Sequence, residues 1–478
     1  MTPPLPRGVS DTSLRESQKG AEGASAHDAS IGSAIRLGAE IVVRLSSVIA
    51  TLWLTRSLGV STFGVFLLSL SLGLMIAELC DLGLNAIVVP LIVRCRGNLR
   101  ALLRLKALAT LAVLALCAVL IPLASHVSGI ESRLLALTTI HFIGASWIEM
   151  TGTTLRALGR RMHEALLLFA FRLAVVVLVI GAPFGPTVGG ASLSYAVATL
   201  PAIVASGFLL RSAVRGAGSS SATARAIVRQ AAPLGVNGYL SLLSTRVELF
   251  LLQAFSGAEA VGLFGGALRI VESLLTLPSA IAAGALPSVS RDVVQGSRGA
   301  AQRTFGLVVW MGVPAALGLG LCAHDVLRVL GPAFVDGAAA LRILSAALFL
   351  CFANAVLFHI LIAAGQTAIV PRLTASRVAV ACLAGSLLVP AFGLVGAALS
   401  FCAAELFLFS ALVARTRAHA SIHVGRPVAW ALTACLPMTA LLWLHPLPLP
   451  LAIAAGGSSF AVAAAVILRR GTEASGLA

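Results

Sequence analysis

The chain has 478 residues, 58% of them hydrophobic and only 11% charged, with a mean hydropathy of +0.99 and a formal net charge of +16. Soluble proteins use about 25% charged residues. The composition therefore excludes a water-soluble fold and predicts an all-α polytopic membrane protein. The basic residues fall in short segments between apolar stretches, and this placement argues against a nucleic-acid partner.

Residues 1–32 are polar, rich in Ser, Gly and Ala, and of mixed charge. They lack the apolar stretch of a signal peptide. We expect a disordered cytoplasmic tail and no cleavable signal peptide.

Fourteen apolar segments follow, each long enough for a helix that crosses about 30 Å of hydrocarbon. The second and eighth are unusually long and end at Pro90 and Pro287, so we expect them to tilt or break. The segments lie near residues 36–57, 62–92, 107–126, 134–155, 164–184, 188–210, 232–255, 260–288, 303–323, 341–363, 368–391, 394–414, 428–445 and 450–468.

The basic residues give these segments an orientation, because short cytoplasmic loops concentrate Lys and Arg. With the N-terminus inside, the inner loops hold 21 basic residues and the outer loops hold 4. The largest inner group runs from Arg94 to Lys106 and is predicted to anchor the chain at the inner surface. The asymmetry predicts fourteen transmembrane helices with both termini cytoplasmic.

A repeated motif divides the chain. Gly59-x4-Gly64-x-Phe66 returns as Gly257-x4-Gly262-x-Phe264 at an offset of 198 residues, between two apolar segments each time. Further matches, at offsets of 205 to 207, pair Leu155-x-Ala-Leu-Gly159 with Leu361-Ile-Ala-Ala-Gly365, Arg172 with Arg377, and residues 188–195 with 395–401. A duplicated unit of about 200 residues is typical of alternating-access transporters.

The duplication predicts the domain organisation. Six spans per unit is an even number, so both copies enter the membrane from the same side and form a parallel repeat. We expect an N-lobe at 33–215, a flexible cytoplasmic linker at 216–231 and a C-lobe at 232–418. Residues 419–478 would add two helices and a C-terminal tail.

Charged side chains inside the predicted spans are candidates for the substrate site, because they are costly in a bilayer. Arg44, Arg246 and Arg269 fall on spans 1, 7 and 8, and guanidinium groups bind phosphate with two parallel hydrogen bonds. They predict an anion site between the lobes. The alternative is that they form interhelical salt bridges; Arg172 and Arg377 are interpreted as structural.

The spacing of these charges predicts some of their partners. Glu40/Arg44 and Arg269/Glu272 lie on one helix face at i,i+4 and i,i+3, so each pair can neutralise itself. Arg246 and Glu248 are two residues apart and point to different faces. Each of them therefore needs a partner elsewhere.

Glu78 and Asp81 are candidates for ion coupling, because a buried carboxylate can take up and release a proton. The alternative for Asp81 is a carboxylate that caps a broken helix or pairs with an arginine. His141 and His359 are interpreted as hydrogen-bonded filler residues. We expect no catalytic residues, metal site or cofactor.

Several short motifs resemble the bacterial polysaccharide exporters, the O-antigen-type lipid-linked oligosaccharide flippases of the multidrug/oligosaccharidyl-lipid/polysaccharide exporter superfamily. The resemblance rests on the order of segments 54–66, 81–85, 261–264, 286–290, 330–334 and 393–398, which together span nearly the whole chain.

The resemblance implies two six-helix lobes in a V, around a cationic cavity lined by helices 1, 2, 7 and 8, plus two C-terminal helices. It implies flipping of an undecaprenyl-pyrophosphate-linked oligosaccharide to the outer leaflet of the bacterial inner membrane. Membrane lipids, a polysaccharide polymerase and a chain-length regulator are the partners it implies.

Two alternatives stay open. A cation-coupled drug or metabolite antiporter of the same superfamily would use carboxylates such as Glu78, Asp81 and Glu149. A membrane glycosyltransferase or ligase would need a large extramembrane loop and paired acids. The longest predicted outer loop, near 324–340, holds only Asp325 and Asp336, so we expect no enzyme.

Overall fold

The computed structural model describes residues 49–215, 223–295, 299–417, 423–444 and 447–474, and all regular elements in these ranges are helical. This confirms the predicted fold class. The helices are α1 (residues 49–58), α2 (Val60–Glu78), α3 (Leu84–Arg94), α4 (Asn98–Ser128), α5 (Ser132–Ala157), α6 (Arg161–Gly181), α7 (Val188–Arg215), α8 (Ala224–Ser244), α9 (Val247–Leu274), α10 (Thr276–Gln295), α11 (Gly299–Leu321), α12 (Ala323–Leu330), α13 (Ala338–Ala363), α14 (Val370–Thr416), α15 (Gly425–Leu444) and α16 (Leu449–Ala474).

Eleven helical stretches of the described residues are long and apolar enough to cross a membrane. Two of these stretches each hold two predicted spans, because the chain continues as helix through kinks at Gly257 and Gly393. The first predicted span begins outside the described residues, as does the whole of the predicted tail at 1–32. The count of fourteen stays a prediction.

The predicted linker at 216–231 is helical in its second part. Residues 216–222 lie outside the described residues, and α8 begins at Ala224. The Thr223 side chain accepts a hydrogen bond from the backbone amide of Ala226 at 3.3 Å, which satisfies one of the free donors at the helix start. Composition alone did not reveal this cap.

Both long segments break, as expected, but not at their prolines. The second segment is interrupted between α2 and α3, where Leu82 and Gly83 take left-handed conformations with φ of 48° and 77°. The eighth is interrupted at Leu275, between α9 and α10. Pro90 and Pro287 lie inside the helices that follow these breaks.

The repeated glycine motif forms the same structure twice. Gly59 has φ 76° and ψ 173°, and Gly257 has φ 83° and ψ −179°, a conformation that an L side chain disfavours. Each glycine turns the chain between two helices. We use N-half for the described residues 49–215 and C-half for the described residues 223–417.

The second glycine of each motif brings the two halves together. A Cβ atom on Gly64 would lie 1.9 Å from the Ala258 carbonyl oxygen, and one on Gly262 would lie 2.0 Å from the Val60 carbonyl oxygen. These two contacts are equivalent under the 198-residue offset. The backbones of α2 and α9 therefore touch at a symmetric crossing that only glycine permits.

A second contact between the halves lies at the other end of the bundle. A Cβ atom on Gly83 would lie 2.3 Å from the Ala231 carbonyl oxygen, and one on Gly235 would lie 2.5 Å from the Leu82 carbonyl carbon. The two contacts lie toward opposite ends of α2, which has 19 residues and is roughly 28 Å long at the helical rise. The halves thus meet at both ends of a layer about as thick as a membrane.

Candidate functional site

Two of the predicted arginines come together on one glutamate of the C-half. Arg246 lies at the break between α8 and α9, and its Nη1 is 3.1 Å from Glu272 Oε1. The Nη1 atom of Arg269 is 3.5 Å from the other carboxylate oxygen. We call Arg246, Arg269 and Glu272 the arginine cluster; with both arginines charged and Glu272 ionised, it carries one net positive charge.

The arginine cluster has hydrogen-bonding capacity to spare. The Arg246 side chain is 13% exposed, and its Nε is buried without an acceptor among the described residues. The Arg269 side chain is 38% exposed. A buried donor without an acceptor is costly, so the cluster is suited to donate hydrogen bonds to the oxygen atoms of an anion.

Only part of this geometry follows from the sequence. The Arg269–Glu272 pair was predicted from its i,i+3 spacing and is found. Arg246 finds the partner elsewhere that we expected it to need, because the turn at Gly257 folds α9 back and brings Glu272 to it. Arg44 lies outside the described residues.

Glu78 and Asp81 line a different space, a cavity of about 950 Å³ bounded by α2, α3, α5, α6 and α8. We call it the N-half cavity. It is rich in charged side chains, and those that line it are Glu78, Asp81, Glu149, Arg156, Glu164 and Arg172.

Asp81 is not free in this cavity. Lys106 Nζ lies 2.5 Å from Asp81 Oδ1 and donates to Ser146 Oγ at 2.6 Å. The backbone amide of Asn85 also approaches the carboxylate, at 3.4 Å. The alternative interpretation of Asp81, a carboxylate at a helix break that pairs with a base, describes this geometry, with lysine in place of arginine.

The prediction that Lys106 belongs to an inner-surface loop is wrong. α4 begins at Asn98, eight residues before Lys106, and the Lys106 side chain is fully buried. Lys106 is the only lysine of the chain after residue 32. That isolation, in a sequence whose other cations there are arginines, is the signal that would have pointed to a special role.

The C-half contains its own cavity of about 410 Å³, lined by residues of α8, α9, α10, α13 and α14. Within it, Arg377 Nη2 lies 2.6 Å from Glu405 Oε1, and Arg377 also donates to the Ser244 carbonyl. Asn354 Nδ2 donates to the second Glu405 oxygen at 2.8 Å. We call this space the C-half cavity. Its Arg377–Glu405 pair fits the structural interpretation of Arg377.

The two intramembrane histidines are hydrogen bonded within the fold. His141 Nδ1 lies 2.9 Å from the Tyr195 carbonyl and 2.7 Å from Thr199 Oγ1, and His359 Nδ1 lies 2.7 Å from the Ala355 carbonyl. Their packing agrees with the interpretation as filler residues.

Helices of this length and apolarity, with charges buried between them, define a multi-pass membrane protein. A family model described as "Polysaccharide biosynthesis protein" matches residues 32–291. The chain belongs to this family. No curated protein sequence matches it significantly.

Solved structures show the same fold. The chain is similar to a lipid II flippase MurJ in an inward closed conformation, with 12% identity over 91% of this chain and 99% of that one and a TM-score of 0.75. It is similar to an inward-facing multidrug resistance MATE family transporter of the MOP superfamily, at 16% identity over 80% and 98% of the two chains and a TM-score of 0.61. A MOP superfamily transporter from Pyrococcus furiosus gives 15% identity, 87% and 95% coverage and a TM-score of 0.55. The protein therefore has the fold of MOP superfamily transporters.

Proposed function

We propose that the protein flips an undecaprenyl-pyrophosphate-linked oligosaccharide from the cytoplasmic to the outer leaflet of the bacterial inner membrane, by alternating access, for polysaccharide export. Family membership and fold support a transporter in polysaccharide biosynthesis. The observation that carries the substrate class is the arginine cluster, which combines net positive charge with an unused buried donor.

The arginine cluster is suited to a pyrophosphate group. Arg246 lies 26 residues from Glu272 in the sequence and Arg269 lies 3 residues from it. The fold brings both guanidinium groups to the Glu272 carboxylate. The carboxylate holds both arginines in place while no anion is bound. A pyrophosphate can replace the Glu272 carboxylate and accept bidentate hydrogen bonds from the guanidinium groups. Guanidinium groups cost less to desolvate than ammonium groups, because they are less strongly hydrated.

Alternating access uses the two contacts between the halves. In this proposal the halves act as lobes at 33–215 and 232–418, and residues 419–478 form two peripheral helices with the tail. The Gly64–Gly262 crossing would open toward the outer leaflet, and the Gly83–Gly235 contact toward the cytoplasm. Both termini would be cytoplasmic. Arg44 would add a third arginine to the substrate site formed by Arg246 and Arg269.

The N-half cavity is our proposed place for ion coupling. Glu78 is half-buried there and Glu149 lines the same cavity, while Asp81 is held by Lys106. Glu78 is thus the better carrier of a proton. Asp81 positions Lys106 near Glu78. A polysaccharide polymerase and a chain-length regulator would act on the exported product.

A second candidate, a cation-coupled drug or metabolite antiporter, is favoured by one observation. Four carboxylates line the N-half cavity, namely those of Glu78, Asp81, Glu149 and Glu164. Two of them are occupied by bases, since Asp81 pairs with Lys106 and Glu164 with Arg156. This pairing leaves less negative charge for a cationic substrate than the count of acids implies.

The test measures undecaprenyl-pyrophosphate-linked oligosaccharide, its amount and its leaflet, in cells depleted of this protein. We expect it to accumulate on the cytoplasmic face and wild-type protein to clear it. Arg246→Ala should fail to clear it, and Arg246→Lys should clear it partly. Arg225→Ala, an exposed arginine on α8, is the matched control and should behave as wild type.

The outcomes separate the site from the function. Full clearance by Arg246→Ala would overturn the arginine cluster as the substrate site. An unchanged lipid-linked pool after depletion would overturn the flippase proposal. Loss of cation-driven export of cationic compounds in the same cells would then establish the antiporter.

A further inference from the structure

Glu248 is an intramembrane acid that the proposed transport route does not use. It lies in the first turn of α9 and is completely buried, and neither carboxylate oxygen accepts a hydrogen bond from the described residues. Val247, its neighbour in the chain, packs in a buried apolar cluster with Val378 and Ala404. We expected it to need a partner elsewhere, and the described residues provide no hydrogen-bond partner.

The charged groups around Glu248 are few. Arg377 and Glu405, both on α14, lie within electrostatic range. The titratable thiols nearby are those of Cys382 and, near Glu405, Cys351 and Cys402, and Glu272 lines the same cavity as Arg377 and Glu405. Arg377 is already engaged, since it bonds to Glu405 and to the Ser244 carbonyl. The start of α9 offers only the backbone amide of Glu248 itself as a nearby dipole.

The charge balance of this group requires a proton. Two carboxylates face one guanidinium, and an ionised carboxylate that is buried without donors is strongly disfavoured. We propose that Glu248, Arg377 and Glu405 form a proton-binding site in the C-half, in which two carboxylates share one guanidinium and one proton. In this conformation the proton is on Glu248, and the group of three is neutral.

The site can exchange its proton with water through one of its members. Arg377 and Glu405 line the C-half cavity, whereas Glu248 is completely buried and is not part of the lining. If Arg377 moves its hydrogen bonds from Glu405 to Glu248, Glu248 releases its proton and Glu405 takes one up, so the group stays neutral. Glu405, in the cavity, then exchanges that proton with solvent. The use of this exchange in coupling rests on the proposed transport function, but proton binding does not.

The test is infrared difference spectroscopy of the full-length protein in liposomes as the pH is varied. Wild type should show the C=O stretch of a protonated, buried carboxylic acid at neutral pH. The band should be absent in Glu248→Gln and retained in Glu131→Gln, which changes an exposed acid. A band that persists in Glu248→Gln, or no such band in wild type, would overturn the site.

Glu405→Gln tests the sharing of the guanidinium. It frees Arg377 to bind Glu248, so the Glu248 band should disappear at neutral pH even though Glu248 is present. Retention of the full band in Glu405→Gln would refute the sharing. This variant also supplies the answer if Glu248→Gln does not fold, because it leaves Glu248 in place.

The spectra separate this site from the proposed substrate. Because the band is measured without any lipid-linked sugar, it can be found even if the flippase proposal fails. If the band behaves as expected and clearance of lipid-linked oligosaccharide in Glu248→Gln loses its dependence on external pH, the site couples transport.

Discussion

The two halves place an arginine at equivalent positions and surround it in opposite ways. Arg172 on α6 is exposed to the N-half cavity, with its guanidinium 5.8 Å from the centre of the Phe171 ring. Arg377 on α14 is 4% exposed and bound to Glu405. At the offset of 206 residues, the position that corresponds to Glu405 is Thr199, which binds His141 instead.

This difference shows what the duplication preserved. Gly159 and Gly365 both end a helix in the left-handed region, and the next amide bonds back to the equivalent leucine carbonyl in each half, at 2.8 Å for Leu155 and 2.9 Å for Leu361. The backbone turns are thus the same in both copies, while the buried charges differ. The N-half leaves Arg172 at a large cavity without an ion pair in the described residues, whereas the C-half pairs Arg377 with Glu405.

The sharpest test of this comparison removes the equivalent arginines in turn. Arg377→Ala leaves Glu405 buried beside Glu248, and we expect a loss of about 3–5 kcal/mol of stability. Arg172→Ala removes an exposed side chain without an ion pair in the described residues and should cost less than about 1 kcal/mol. Thermal unfolding of the purified variants measures both. Equal destabilisation would contradict the comparison.

The N-half has one buried pair that should behave like that of the C-half. Lys106→Met leaves Asp81 without its base, and we expect a loss of about 3 kcal/mol. Adding Asp81→Asn removes the unpaired charge and should restore more than half of that loss. Chemical denaturation in detergent gives the two free energies. If the double variant is no more stable than Lys106→Met, the pair is not coupled.

The smallest expected effect concerns the backbone feature that the halves share. In Gly262→Ala the new methyl group meets the Val60 carbonyl, so we expect a loss of about 1–3 kcal/mol from the strained crossing. Gly306→Ala makes the same change in α11, where a Cβ atom meets nothing within 4 Å, and should be neutral or slightly stabilising. Their thermal midpoints provide the measurement. Equal thermal midpoints for the two variants would show that the crossing of α2 and α9 accommodates the extra methyl group without strain.

Only one of the two pairs in the arginine cluster could be predicted from the sequence. The Arg269–Glu272 pair follows from helical spacing, because residues three apart share a face whatever surrounds the helix. The Arg246–Glu272 pair depends on the angle at which α9 folds back at Gly257, which spacing does not specify. The prediction that placed Lys106 in a loop instead of in α4 was wrong for a related reason. Apolar composition locates a helix poorly at its ends, and α4 begins well before the apolar stretch.

The sequence by itself determined that this protein lies in a membrane, that its fold is helical and that it contains an internal duplication. Each of these follows from composition or from local chain geometry, such as the left-handed turns at Gly59 and Gly257. The tertiary structure decided which charges meet. It paired Lys106 with Asp81 and Arg246 with Glu272, and it left Glu248 without a hydrogen bond among the described residues. Such pairings depend on distances of a few ångströms between helices far apart in the chain, and no local pattern encodes them.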